Sequence, residues 1–226
     1  MSQKALRYLE LLKLSGIDEV FIKKKKQTQA IFLKKEKAQN KSQILLELKK
    51  KYSNCKKCKL WQGRIKFVYG EGNADADLML IGEGPGADEN ITGRPFVGKA
   101  GQLLNKMLKA ININREDVYI ANIVKCRPPD NRDPQPDEKE KCMPYLLEQI
   151  EIIRPKILLL LGKVSATTLF ERKENLTYFR TNTLYFQSIR TFTTYHPAAL
   201  LRNPHWKKNA WTDLQKLQKE YESIKK

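Results

Sequence analysis

Apolar residues follow two rhythms along this chain. Short unbroken runs at Leu78–Ile81, Val118–Val124, Ile157–Leu161 and Thr191–Tyr195 have the length and the aliphatic or β-branched content of strands. Between and after them, apolar positions recur every three or four residues over Lys99–Ala110, Asp137–Ile153, Val164–Phe170 and Lys208–Glu222, which predicts helices. Strand followed by helix, repeated, predicts an α/β fold with a central parallel sheet and helices on both faces. Ligands in such folds collect beyond the carboxyl ends of the strands, so the loops there are the places to look. The longest apolar run, Ile157–Leu161, is strand-sized and far short of the roughly 20 residues of a membrane span.

The first part of the chain has a different texture. Leu6, Leu9 and Leu12 stand three apart with Leu11 and Leu14 beside them, Ser15-Gly16 ends that pattern, and Ile44, Leu45 and Leu48 suggest a second helix. The opening segment MSQKALRYLELLKL lacks the apolar core and cleavage site of a signal peptide, so neither export nor membrane insertion is expected.

Charge sharpens this division. The 226 residues carry 43 Lys and Arg against 25 Asp and Glu, a net charge of +18. Residues 1–51 hold 14 basic and 5 acidic side chains, half of that excess in under a quarter of the length. The chain therefore reads as a basic N-terminal extension, 1–51, followed by a domain over 52–226. A field of this sign attracts polyanions, nucleic acid first among them.

The loops after the strand candidates are unusual. Gly82-Glu83-Gly84-Pro85-Gly86 follows the first and allows a tight turn with close backbone approach to a ligand, yet no Gly-Lys-Ser/Thr follows to make a phosphate-binding loop. Phe96 sits between Gly93 and Gly98 just before a helix, as a local plug or a stacking platform. Asn122 interrupts an apolar strand, and a buried amide there must find partners. His196, one of two histidines with His205, stands at a strand end before Pro197. Leu200 and Leu201 precede Arg202 in a segment read as a loop, whose apolar tip can wedge into a base stack or fold back on the core.

Four cysteines complete the inventory: Cys55, Cys58, Cys126 and Cys142. The two-residue gap between the first pair lets both thiolates face one ion. In a reducing compartment disulfides are not expected, and thiolate chemistry leaves tetrahedral zinc and an iron–sulfur cluster both open. Either would tie the start of the domain to the sheet.

Taken together and in order, Gly82–Gly86, Gly93–Leu104, Asn122–Pro129, the Tyr195-His196-Pro197-Ala198 run and the four cysteines strongly resemble the family 4 uracil-DNA glycosylases, over roughly Ser53 to Leu217. The resemblance implies a uracil-DNA glycosylase-like three-layer fold. It implies a 4Fe-4S cluster on Cys55, Cys58, Cys126 and Cys142, and hydrolysis of the N-glycosidic bond of uracil in single- or double-stranded DNA. The expected enzyme is a cytoplasmic, nucleoid-associated monomer. Gly82, Glu83 and Gly84 would border the uracil, Phe96 would stack on it, Asn122 would read its edge and His196 would sit at O2. Leu200 would fill the gap left by the flipped nucleotide, with Arg202 beside it on the DNA. Related families carry an aspartate to position water where this chain has Gly84; Glu83 is adjacent, and which group orients the water stays open. A non-catalytic iron–sulfur DNA-binding or redox-sensing protein is the alternative. It would keep the cysteines and the charge, but has no need of Asn122, Phe96 and His196 together.

The chemistry of the base agrees with these assignments. A base in a duplex is reached only by rotating it out, at a cost of a few kcal/mol. An asparagine amide donates to uracil O4 and accepts from N3–H; cytosine presents the reverse pattern and leaves both groups unpaired, at about 1–3 kcal/mol each. The departing base is an anion at N1–O2, so an imidazole donor and nearby N–H groups lower the barrier.

Overall fold

The computed structural model describes residues 40–225. Two strands are the unbroken aliphatic runs: β2 (Leu78–Gly82) and β4 (Ile157–Leu161) are buried at every position, as strands covered on both faces must be. With β1 (Glu71–Gly72), β3 (Tyr119–Asn122), β5 (Leu184–Phe186) and β6 (Ile189–Thr194) they form one six-stranded sheet in the order β1-β3-β2-β4-β6-β5. The four central strands are parallel, as expected, but β1 and β5 run antiparallel at the edges, so the sheet is mixed. The edge strands have two and three residues, too few to show as a pattern in the sequence.

Alternation along the strands sorts the core into two layers. Met79 and Ile81 of β2 and Leu158 and Leu160 of β4 face one side. There they meet α4 (Pro136–Ile153) through Tyr145, Leu146 and Ile150, and α5 (Lys163–Phe170) through Ala166 and Leu169. Leu78 and Leu80, with Ile157, Leu159 and Leu161, face the other side. They meet α3 (Lys99–Ala110) through Leu104 and Leu108, and α8 (Lys207–Ser223) through Leu214 and Leu217. Shorter helices are α2 (Ala87–Thr92), α6 (Leu176–Thr181) and α7 (Pro197–Arg202). Among the described residues no helix is long and apolar enough to cross a membrane.

A helix over 40–52, α1, covers the part of the basic segment that the structure describes. Leu45 is buried in the first layer, Lys41 Nζ donates to Asp75 Oδ1 at 2.7 Å and to the Ile153 carbonyl at 3.0 Å, and the Tyr52 ring lies 4.5 Å from that of Tyr145. Packing onto the domain therefore already occurs within the described part of the basic segment. The apolar pattern of residues 4–14 lies outside the described residues.

Candidate active site

The carboxyl ends of β2, β3 and β6 open into a cavity of about 330 Å³ lined by Glu83, Gly84, Phe96, Asn122, His196 and Arg202, among others. Six of the residues singled out in the sequence thus meet in one place. Parallel register explains part of this: Gly82 of β2 pairs with Asn122 of β3, so both strands deliver their last residue to one level. Gly82 lies directly behind two of the lining side chains, where a side chain of its own has no room. A Cβ would overlap Asn122 Oδ1 and come within 2.6 Å of Phe96 Cζ.

Asn122 is almost wholly buried, and its Oδ1 has no hydrogen-bond partner among the described residues. Asn122 lines the cavity, and a buried acceptor left orphaned beside it is expensive unless a donor completes it. Its backbone is held from below: Lys125, fully buried, donates from Nζ to the Asn122 carbonyl at 2.9 Å and to Gln149 Oε1 at 2.6 Å. Gln149 in turn donates to the Tyr69 carbonyl at 2.8 Å.

Phe96 presents its ring 5.6 Å from the His196 ring, centroid to centroid. Its φ of 51° lies in the left-handed region, where a bulky residue is strained by about 1–3 kcal/mol. The surroundings enforce it. Arg115 donates to the Phe96 carbonyl at 3.0 Å and to the Pro95 carbonyl at 2.6 Å, and is itself paired with Glu71 at 2.7 Å. Gly101 lets α3 pass beneath, because any Cβ there would overlap the Phe96 carbonyl. Glu89 of α2 ties the two glycine loops together: its carboxylate accepts from Val97 N–H at 2.8 Å, Gly98 N–H at 3.0 Å and Gly86 N–H at 3.1 Å. Sequence reading missed Glu89 and Arg115. Glu89 had a signal, three residues after Gly86 in the position of a capping-box glutamate; Arg115 had none.

His196 caps α7. Ala198 N–H donates to its Nδ1 at 3.2 Å, so the neutral ring carries its proton on Nε2. Burial, reinforced by Arg202, lowers its pKa to about 4, which keeps the imidazole neutral near pH 7. Glu83 goes the other way: burial first and then Asp133 raise its carboxyl to about 7, with Lys139 and Arg202 pulling it back. The site therefore offers a neutral donor and a carboxyl that changes charge near neutrality.

Leu200 is not at the mouth. It is 2 % exposed in the second core layer, and Leu201 is 45 % exposed instead. The expected loop is the helix α7, in which Pro197 and Leu200, three apart, share the inward face and Leu201 turns outward. The wedge role assigned to Leu200 is therefore corrected, and the exposed side chains on this helix are Leu201 and Arg202.

The four cysteines come from three separate places and line one small cavity with Phe67 and Tyr145. Hydrogen-bond donors point at three of the sulfurs: Tyr145 OH to Cys55 Sγ at 3.1 Å, Lys125 N–H to Cys142 Sγ at 3.3 Å and Arg64 Nη1 to Cys126 Sγ at 3.5 Å. Among the described residues no three Cys, His, Asp or Glu side chains close on a single point as a one-ion site would. Burial raises the thiols of Cys58, Cys126 and Cys142, the last to about 12, so none of these three is poised as a nucleophile.

The comparisons agree with this geometry. Residues 69–215 match the family model described as the Uracil DNA glycosylase superfamily. The chain is 49% identical over 173 residues to a type-4 uracil-DNA glycosylase of Saccharolobus solfataricus, covering 72% of this chain and 80% of the relative. It is 46% identical over 182 residues to one of Sulfurisphaera tokodaii, covering 76% and 83%. Against one of Archaeoglobus fulgidus it is 41% identical over 172 residues, covering 73% and 86%.

Proposed function

The chain belongs to the uracil-DNA glycosylase superfamily, among its type-4 members, and on that premise we propose how its pocket performs the reaction. It is a DNA-repair enzyme that excises uracil from DNA by hydrolysing the N-glycosidic bond, leaving an abasic site. The observation that carries the residue assignment is Asn122, which lines the cavity at the strand ends and whose buried Oδ1 has no hydrogen-bond partner among the described residues. Uracil N3–H is the donor that atom lacks. Cytosine offers no proton there, so the pocket rejects it through the unpaired acceptor.

The flipped base slides between Phe96 and the strand ends, with bare Gly82 leaving room for the Asn122 amide and the Phe96 ring that meet it. His196 Nε2–H donates to O2 as negative charge builds on the departing pyrimidine, and a neutral donor suits an anionic leaving group because it need not be deprotonated first. Glu83, ionised, sits as the nearby anion that favours oxocarbenium character at the sugar and accepts a proton from the attacking water. Leu201 and Arg202, exposed at the end of α7, meet the DNA from which the base has left. In this reading the enzyme works as a monomer on the DNA of the nucleoid, in the cytoplasm.

Cys55, Cys58, Cys126 and Cys142 hold a 4Fe-4S cluster in this reading. Four cysteines around one cavity, two of them buried and three of the sulfurs met by N–H or O–H donors, support this reading. Holding such a group, the four cysteines would tie the chain around residue 55 to α4 and to the segment that follows β3. Nothing in the glycosidic step calls for electron transfer.

The test is release of free uracil from an oligonucleotide carrying one uracil, with matched cytosine and thymine controls. Uracil alone should be released; equal release of cytosine would refute Asn122 as the reader.

A further inference from the structure

Residues 48–70, which carry the first cysteine pair, contain eight Lys or Arg and no Asp or Glu. Lys49, Lys56, Lys57, Lys59 and Lys66 are all exposed. None of them forms an ion pair among the described residues. The segment also exposes large apolar side chains where a soluble surface has no need of them: Trp61 is 38 % exposed and Ile65 is 67 % exposed. Lys56 Nζ sits 5.0 Å from the centroid of the Trp61 ring.

Lys49, Trp61, Ile65 and Lys66 border a groove of about 640 Å³ whose other charged walls are Arg64 and Arg94, the latter paired with Glu71 at 2.7 Å. Gln62 belongs both to this groove and to a second one of about 660 Å³ that includes Lys59 and Arg127. Pro128 and Arg132 belong both to that second groove and to the base pocket. The three depressions therefore adjoin in sequence, from the pocket to the cationic end. The middle one is mixed in sign, with Arg132 held on Glu138 at 2.7 Å, so the cationic end is where affinity for a polyanion concentrates.

We propose that the cysteine-bearing segment is a second nucleic-acid contact surface, on which the strand flanking the flipped nucleotide lays its phosphates along Lys56, Lys59 and Lys66 and stacks a base on Trp61. Exposed aromatic rings set among lysines are what a single strand needs, since every base has a face to stack and every phosphate a charge to pair. The proposal rests on the glycosylase reading and deepens it. Uracil chemistry stays in the pocket, while grip on the surrounding strand comes from the far end of the groove.

The experiment compares the wild-type holoenzyme with Lys56→Glu/Lys59→Glu/Lys66→Glu, with Trp61→Ala and with Trp61→Phe. Binding and uracil release are measured on two single-stranded oligonucleotides across a range of salt. One has only a nucleotide or two on each side of the uracil, and the other is long enough to span the grooves. Visible absorbance and Tm confirm that each variant is folded and loaded. The triple variant should bind the long oligonucleotide about 100-fold more weakly, and its log–log salt slope should flatten by about 2, as loss of three single-strand phosphate contacts requires. Trp61→Ala should cost about tenfold on the long oligonucleotide, and Trp61→Phe should restore most of it. All variants should process the short oligonucleotide at wild-type kcat. Unchanged affinity and slope on the long oligonucleotide would overturn the proposal, as would equal losses on short and long. So would a triple variant that loses affinity for poly-glutamate but not for DNA, which would make the surface a protein-docking site. Failure of the wild-type enzyme to release uracil from either oligonucleotide would refute the glycosylase reading instead, leaving the binding data to judge the groove by itself.

Discussion

The base pocket and the cysteine cavity share one stretch of chain, Asn122 to Cys126, and are finished in opposite ways. At the pocket end a buried acceptor, Asn122 Oδ1, is left without a partner. At the cysteine end three of the four sulfurs already receive an N–H or O–H from Tyr145, Lys125 or Arg64. A site for a guest that comes and goes keeps its polar groups unsatisfied, so that the right guest gains by completing them. On the proposed cluster reading the cysteine end is a site for a resident group, which satisfies its ligands from outside so that they hold their places. Lys125 serves both ends, with its backbone N–H on Cys142 Sγ and its ammonium on the Asn122 carbonyl. The contrast predicts that damage at one end shows in stability and damage at the other in chemistry alone.

Cys142→Ser should have the largest effect. The purified wild-type protein should be brown, with a broad visible band that dithionite bleaches. The variant should lose that band and its iron, and its Tm should fall by about 6–12 °C, the shift that roughly 3 kcal/mol produces in a chain of this size. A colourless, fully active wild-type protein holding stoichiometric zinc would remove the cluster from the comparison.

Asn122→Asp should leave Tm and colour unchanged within error while uracil release falls about 1,000-fold, because an ionised carboxylate cannot donate to O4 and repels it. A trace of cytosine release should appear, larger at acid pH, where a protonated carboxyl or base completes the second contact. Near wild-type uracil release would make Asn122 a structural residue and collapse the distinction between the two ends.

His196→Ala should slow uracil release about 100-fold, the cost of one donor to a developing oxyanion, without changing which base is chosen, since O2 is common to both pyrimidines. Altered base selectivity would show that His196 reads the base as well as activating it.

The smallest effect concerns pH. Glu83 ionises as pH rises through about 7, so single-turnover rates should increase about tenfold between pH 6 and 8 and then level off. His196 stays neutral above about pH 4 and adds no second limb in that range. Glu83→Gln should flatten the profile; an unchanged rise would assign it to another group.

Much of this was legible in advance. β2 and β4 appear as aliphatic runs because strands buried on both faces need no polar alternation. α3 was predicted at its observed limits, Lys99–Ala110, since its apolar stripe is strong. Gly82, Glu83, Phe96, Asn122 and His196 stood out as residue types wrong for their local surroundings, and glycines, a polar residue in a strand and a histidine before proline are visible one at a time. The support behind them was not visible. Arg115 looks like any surface arginine, and nothing local says that it will hold two carbonyls of a strained loop 19 and 20 residues away. Leu200 and Leu201 are the same residue type, and only the helical turn that α7 adopts decides which one is buried.

By itself, then, the sequence determined the alternation of strands and helices, the cationic character of residues 48–70 and the identity of the groups that can do the chemistry, because these are properties of short stretches and of side-chain types. Tertiary structure alone decided that Gly82 must be bare, that Glu89 knots two loops, that Lys125 lies under Asn122 and that four cysteines spread over 88 positions share one cavity. Each of those depends on parallel strands delivering residues distant in sequence to one level of the sheet. That register is set by the burial of both faces at once, a condition no single segment carries.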